Sequence, residues 1–146
     1  MSPETIFSAC GTLVLPGWLL LIFLPRWKWS ARLIAAVIIP AVIGVVYVYL
    51  VVTHFGRSEG GFGSLAEVSL LFQNPHALLA GWIHYLAFDL FVGAWEVRDA
   101  QRVGVHHLLV VPCLVLTFLL GPAGLLLYFL LRWALRREFF IGGERA

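Results

Sequence analysis

The sequence predicts an all-α membrane protein: four transmembrane helices, with a short interfacial helix between the second and the third. Three observations lead there. Of 146 residues, 61% are hydrophobic and only 12% charged, and the mean hydropathy is +0.92, a balance that a water-soluble domain of this length does not carry. The apolar residues gather into four runs, each near the roughly 20 residues that a helix needs to cross about 30 Å of hydrocarbon. Those runs and their turns use nearly the whole chain, so residues 1–146 form one integral membrane domain.

The first span is expected over residues 5–24 and stops at Pro25-Arg26-Trp27-Lys28-Trp29, where tryptophans alternate with cations as they do at a water–lipid boundary. The start of the chain lacks the basic region of a signal peptide, so this first run is expected to be retained. The second span, 33–52, contains Pro40 and Gly44, which lipid-embedded helices tolerate when neighbours satisfy the freed carbonyl. The polar stretch from His54 to His76 follows. Within it Ser64-Leu65-Ala66-Glu67 reads as a capping box, with Leu65, Val68, Leu71 and Phe72 on one face of an interfacial helix over about 64–72. Asn74-Pro75 then supplies the N-cap and first residue for the third span, 78–97. The fourth, 108–131, is about 36 Å long as a straight helix, and its Gly121-Pro122-Ala123-Gly124 predicts a kink or a tilt.

The net charge of +2 comes from arginines at the helix ends, which suits membrane lipid headgroups and gives no sign of nucleic-acid binding. Orientation is left open by the charges. With four crossings, Arg26, Lys28, Arg32, Arg98 and Arg102 stand on one side, and Arg57, Arg132, Arg136, Arg137 and Arg145 on the other. Cys10 and Cys113 fall inside spans and read as packing groups. There is no HExxH, no paired ExxH and no CxxC, so no metal site is expected; His106 and His107, about 100° apart on a helix, chelate one ion poorly.

Asp89 is the residue most in need of explanation. It falls near the middle of the third span, where an ionised carboxylate costs about 2.5–3.5 kcal/mol even on the lenient insertion scale. Such a group is either a functional carboxyl or a hydrogen-bonded packing residue. Trp82, Tyr85, Asp89 and Glu96 form one stripe of the helix with Gly93 among them, and the stripe should face the bundle interior. His84 precedes Asp89 by about 7.5 Å along the axis and roughly 140° around it, so the two share no narrow face and could only line opposite walls of a cavity. Glu96, Arg98, Asp99 and Arg102 cluster where the span leaves the membrane and read as an interfacial ion network. Gly44, Gly81 and Gly93 would support close helix packing, including between copies in a homo-oligomer.

The run Trp82-Ile83-His84, then Asp89-Leu90-Phe91, then Asp99, His107 and Gly121-Pro122-Ala123-Gly124 resembles the abscisic-acid-deficient-four-like family, with Gly61-Phe62 and Phe72 matching its approach to the third span. These are small four-helix membrane proteins, required for neoxanthin formation in plants and present in bacteria. The resemblance covers about Gly61 to Arg132. It implies a role in xanthophyll metabolism: opening of a carotenoid 5,6-epoxide with proton loss from the adjacent polyene carbon to give an allene, which needs an acid, a base and a greasy slot and no cofactor. On that reading the candidate catalytic residues are Asp89, a protonated donor to the epoxide oxygen, His84, the base, and Glu96. The candidate substrate-binding residues are Trp82, Tyr85, Phe88, Phe91, Asp99 and His107. The partners are membrane lipids and a hydrophobic carotenoid or other isoprenoid, and the absence of a plastid transit pattern points to a bacterial inner membrane. Two other readings stay open: a non-catalytic pigment-binding or assembly protein, and a haem or quinone redox subunit using His84 and His107.

Overall fold

The computed structural model describes residues 2–54, 56, 59–137 and 141, and every regular element among them is helical. Helix α1 (Pro3–Phe23) starts with Ser2 as N-cap and Pro3 in the first turn. Helix α2 (Ser30–His54) opens with a π-helical stretch, Ser30–Ile38, and continues as an α-helix. The Ser30 hydroxyl donates to the carbonyls of Leu24 and Trp27, both at 2.9 Å, which fastens the turn between the two helices. Helix α3 (Leu65–Leu71) carries the expected cap: Ser64 Oγ accepts from the Glu67 N–H, and the Glu67 carboxylate reaches back to the Gly63 N–H. Helix α4 (Pro75–Val103) is capped by Asn74 and ends at Gly104, in the left-handed conformation at φ 74°. Helices α5 (His107–Leu120) and α6 (Pro122–Arg136) complete the chain.

Helices α1, α2 and α4 are long and apolar enough to cross a membrane by length and composition. Their lipid-type surface is plain in residues such as Val45 and Val52, 71% and 77% exposed. Helix α4 is the axis of the bundle. It buries Ile83, Leu90, Ala94 and Val97 against Val14 and Leu21 of α1, Ile43 and Leu50 of α2, and Val110 and Leu114 of α5.

The run expected to make a single fourth crossing, 108–131, does not do so. It breaks at Gly121 (φ 45°, ψ −96°), a backbone conformation that side chains resist, and α6 folds back along α5. Gly124 lies so close to Thr117 and Cys113 that a Cβ there would overlap their backbones. At the far end of the hairpin, Arg136 at the close of α6 donates to the carbonyl of Gly104, just before α5 begins. Two short helices side by side replace one long kinked one, because Gly121 allows a reversal and Gly124 the close approach that follows it.

This hairpin sets the polarity of the bundle. Gln101 Nε2 donates to Pro25 O at 2.6 Å, and His107 Nε2 to Ile22 O at 2.9 Å, so the end of α1, the end of α4 and the start of α5 share one end. The start of α1 and the start of α4 meet at the other end through Phe7 and Trp82, and the end of α2 joins them there through the stacked rings of His54 and His76, 3.9 Å apart. Because α6 returns, Arg132, Arg136 and Arg137 join Arg26, Lys28, Arg32, Arg98 and Arg102 at the first of these ends. Arg57 and Arg145, the remaining cations of the sequence count, lie outside the described residues.

Candidate functional site

Three residues of the expected stripe of α4, Tyr85, Asp89 and Glu96, face the hairpin; the fourth, Trp82, is 40% exposed and does not. Tyr85 donates its hydroxyl to the carbonyl of Phe118 at 2.8 Å, near the end of α5. One turn on, the Asp89 carboxylate lies against the turn itself, where a Cβ built on Gly121 would stand 2.8 Å from Oδ1 and 3.1 Å from Oδ2. Asp89 Oδ2 is buried and has no hydrogen-bond partner among the described residues. Gly93 then makes a notch for the Trp18 ring of α1, which meets Phe118 edge-on at 5.4 Å. Trp18 thereby walls the stripe on the α1 side.

Glu96 is wholly buried. Its Oε1 accepts from the Thr117 hydroxyl at 2.9 Å, and its Oε2 has no partner among the described residues. Next comes Asp99, the centre of a dense polar knot. Oδ1 pairs with Arg102 at 2.7 Å, and Oδ2 accepts from the Tyr128 hydroxyl at 2.7 Å and forms an ion pair with Arg132, whose Nε is 2.9 Å away. Arg132 is only 1% exposed. A buried charge of this kind needs a counter-charge, and Asp99 supplies it. Sequence spacing alone sets Asp99 in an interfacial network with Arg102 and leaves Arg132 a helix-end cation. The i, i+4 pair Tyr128 and Arg132 was the available signal, but it points at Asp99 only once α6 is known to run backwards.

His84 goes elsewhere. Its ring stands 5.8 Å from Tyr47 of α2 and 4.5 Å from Phe88. With Pro40, Gly44, Phe88 and Phe91 it lines an apolar groove of about 310 Å³ between α2 and α4. Asp89 is not among the residues lining that groove and lies instead against Gly121 on the hairpin side. The structure gathers Tyr85, Asp89 and Glu96 on the hairpin side, and His84, Phe88 and Phe91 on the α2 side.

Trp82 belongs to a third place. It stacks near Tyr85 at 5.2 Å and Phe7 at 5.5 Å, and with Pro3, Glu4, Pro75 and Leu78 borders an open groove of about 370 Å³. The tip of the hairpin stops level with Asp89, so this groove, Trp82, Tyr85 and Asp89 follow one another down the same side of α4. His107 uses its Nε2 to hold Ile22 and lies at the far end of α4, about 28 Å of helix from His84. The two histidines therefore do not face a common haem. Among the described residues no three His, Cys, Asp or Glu side chains gather as a metal site.

Chemically, the hairpin side offers a carboxyl with an unpartnered oxygen in an apolar setting, approached along aromatic rings. With Tyr85 beside the carboxyl, the unpartnered oxygen can exchange a proton with a bound molecule.

The family model described as ABA DEFICIENT 4-like matches residues 5–128. Protein ABA DEFICIENT 4, chloroplastic, from Arabidopsis thaliana is 21% identical over an alignment covering 93% of this chain and 64% of that protein. The chain thus spans about 64% of the length of this curated relative. No solved structure matches it.

Proposed function

The chain belongs to the ABA DEFICIENT 4-like family, and on that premise we propose that it is a carotenoid-modifying membrane protein that isomerises an epoxide end group, or does the equivalent on a related isoprenoid. The observation that carries this reading is the unpartnered, buried Oδ2 of Asp89 at the tip of the α5–α6 hairpin. The hairpin fills the membrane only as far as Asp89. Beyond it, Phe7, Leu78 and Trp82 present exposed apolar surface, 48%, 56% and 40% exposed, along which a polyene would lie with its end group at the carboxyl.

In the proposed reaction protonated Asp89 donates to the epoxide oxygen as the bond from that oxygen to the ring carbon bearing the polyene breaks. The oxygen stays as a hydroxyl on the neighbouring ring carbon. The adjoining polyene carbon loses its proton, and the electron pair of that C–H bond completes the allene. One proton is given and one is taken, so substrate and product are isomers and nothing is oxidised or reduced. His84, the base suggested by the resemblance, lines the other groove; we therefore assign the proton's return to the second oxygen of the Asp89 carboxylate. Tyr85 positions the site by tying α4 to the end of α5, and Glu96 with Thr117 packs the hairpin beneath it. The membrane is proposed to be a bacterial inner membrane, crossed three times and re-entered once.

The test is the pigment profile of a bacterial host that makes epoxycarotenoids, with this gene, without it and with Asp89→Asn. A new isomer that requires the gene and disappears with Asp89→Asn is the expected result. An unchanged profile at good membrane expression would replace the enzymatic reading with pigment binding.

A further inference from the structure

At the cationic end of the bundle, the turn from α1 to α2 and the last turn of α4 enclose a small polar recess of about 100 Å³, away from the carboxyl stripe. Arg26, Lys28, Arg32 and Arg98 all line it, together with Gln101. Among the described residues no acidic side chain does. Asp99, the nearest candidate along α4, is taken up by Arg102, Arg132 and Tyr128. The contacts that hold two of the lining cations are aromatic: Lys28 stands 5.1 Å from the Trp29 ring centre, and Arg98 6.0 Å from that of Phe91. Gln101 closes the recess by its hydrogen bond to Pro25 O, fixing α4 against the turn.

Four cations around one concavity repel each other unless an anion stands between them, and the recess has room for one phosphate group but not for a ring or chain. Its surroundings identify the source. Phe23, Leu24, Trp27 and Trp29 beside it are 72%, 52%, 46% and 45% exposed, the pattern of an aromatic belt at headgroup depth with hydrocarbon below. A phosphodiester held there would have its acyl chains lying along the end of α1. We infer that this recess binds the phosphate of an anionic membrane lipid, seating it between the α1–α2 turn and the end of α4. The inference is independent of any reaction at Asp89.

Native mass spectrometry of the detergent-purified protein, titrated with phosphatidylglycerol or with phosphatidylcholine, tests it. Phosphatidylglycerol is expected to remain as a one-to-one adduct at concentrations where phosphatidylcholine is lost, and millimolar inorganic phosphate is expected not to displace it. Arg32→Gln with Arg98→Gln should weaken retention at least tenfold. Arg26→Gln with Lys28→Gln, confined to the exposed turn, should do the same even where the first pair folds poorly. Arg137→Gln, which removes a cation from the same end but outside the recess, should leave retention unchanged. Equal retention of the two lipids, displacement by inorganic phosphate, or an equal loss with Arg137→Gln would overturn the assignment.

Discussion

The Asp89 carboxylate rests against the Cα of Gly121, so closely that a methyl group there would meet Oδ1 at 2.8 Å. Helix and hairpin are therefore fitted to each other at the atom proposed to do the chemistry. Gly121 also holds a backbone conformation that other residues adopt only at a cost of about 1–3 kcal/mol. Gly121→Ala is expected to lower the thermal unfolding temperature in detergent and to abolish product formation. Gly11→Ala, at a glycine with open space beside it, should do neither.

Asp89→Asn keeps the size and polarity of the side chain but removes its acid. A general acid contributes about a hundredfold to ten-thousandfold, and turnover of an epoxycarotenoid in isolated membranes should fall by that much while expression holds. His84→Gln should retain most of the activity, since His84 lines the groove toward α2. Loss with His84→Gln and not with Asp89→Asn would move the reaction to that groove.

Asp99 serves Arg102, Tyr128 and Arg132 together, whereas Arg132→Met leaves Asp99 with Arg102 still beside it. Removing one member of a buried ion pair costs about 3–5 kcal/mol. Asp99→Ala should reach that range, and Arg132→Met should cost less. The double variant Asp99→Leu with Arg132→Met should be more stable than Asp99→Ala. Unfolding in mixed micelles gives the comparison.

All eight Lys and Arg among the described residues stand toward one end of the bundle. By the bias that keeps such residues in the cytoplasm, that end is expected inside and the end bearing α3 outside. With Cys10 and Cys113 replaced by alanine, a membrane-impermeant maleimide added to intact cells should label Ser64→Cys and not Lys28→Cys. The reverse pattern would invert the orientation.

Much of this was legible in the sequence. The apolar runs marked α1, α2 and α4, the Ser64 and Glu67 spacing marked α3, and helical geometry already separated His84 from Asp89. Of the expected stripe, Tyr85, Asp89 and Glu96 face the hairpin, while Trp82 is 40% exposed beyond its tip. The hairpin was missed because Gly121-Pro122 inside a long apolar run fits a kink as well as a reversal; periodicity does not tell a helix that bends from one that turns back. Its trace was in the charges. Five cations against five holds only if Arg132, Arg136 and Arg137 stand opposite Arg26 and Arg102, and the return of α6 puts them at the same end of the bundle. The polar knot around Asp99 was hidden for the same reason.

The hairpin also dictates how the protein is put together. Helices α5 and α6, of 14 and 15 residues, are each too short to bridge the hydrocarbon alone. Their turn closes on itself, Gly121 N–H to Thr117 O and Gly124 N–H to Gly121 O, but Thr117 reaches Glu96, and Tyr128 and Arg132 reach Asp99, across the contact with α4. Insertion and docking thus become separate stages of biogenesis. Helices α1, α2 and α4 can partition into lipid as ordinary spans, and the hairpin settles afterwards on a template already in place. A defect on the Asp89 and Glu96 face of α4 would then reveal itself first as a protein that inserts, fails to mature and is cleared by the proteases that survey the membrane.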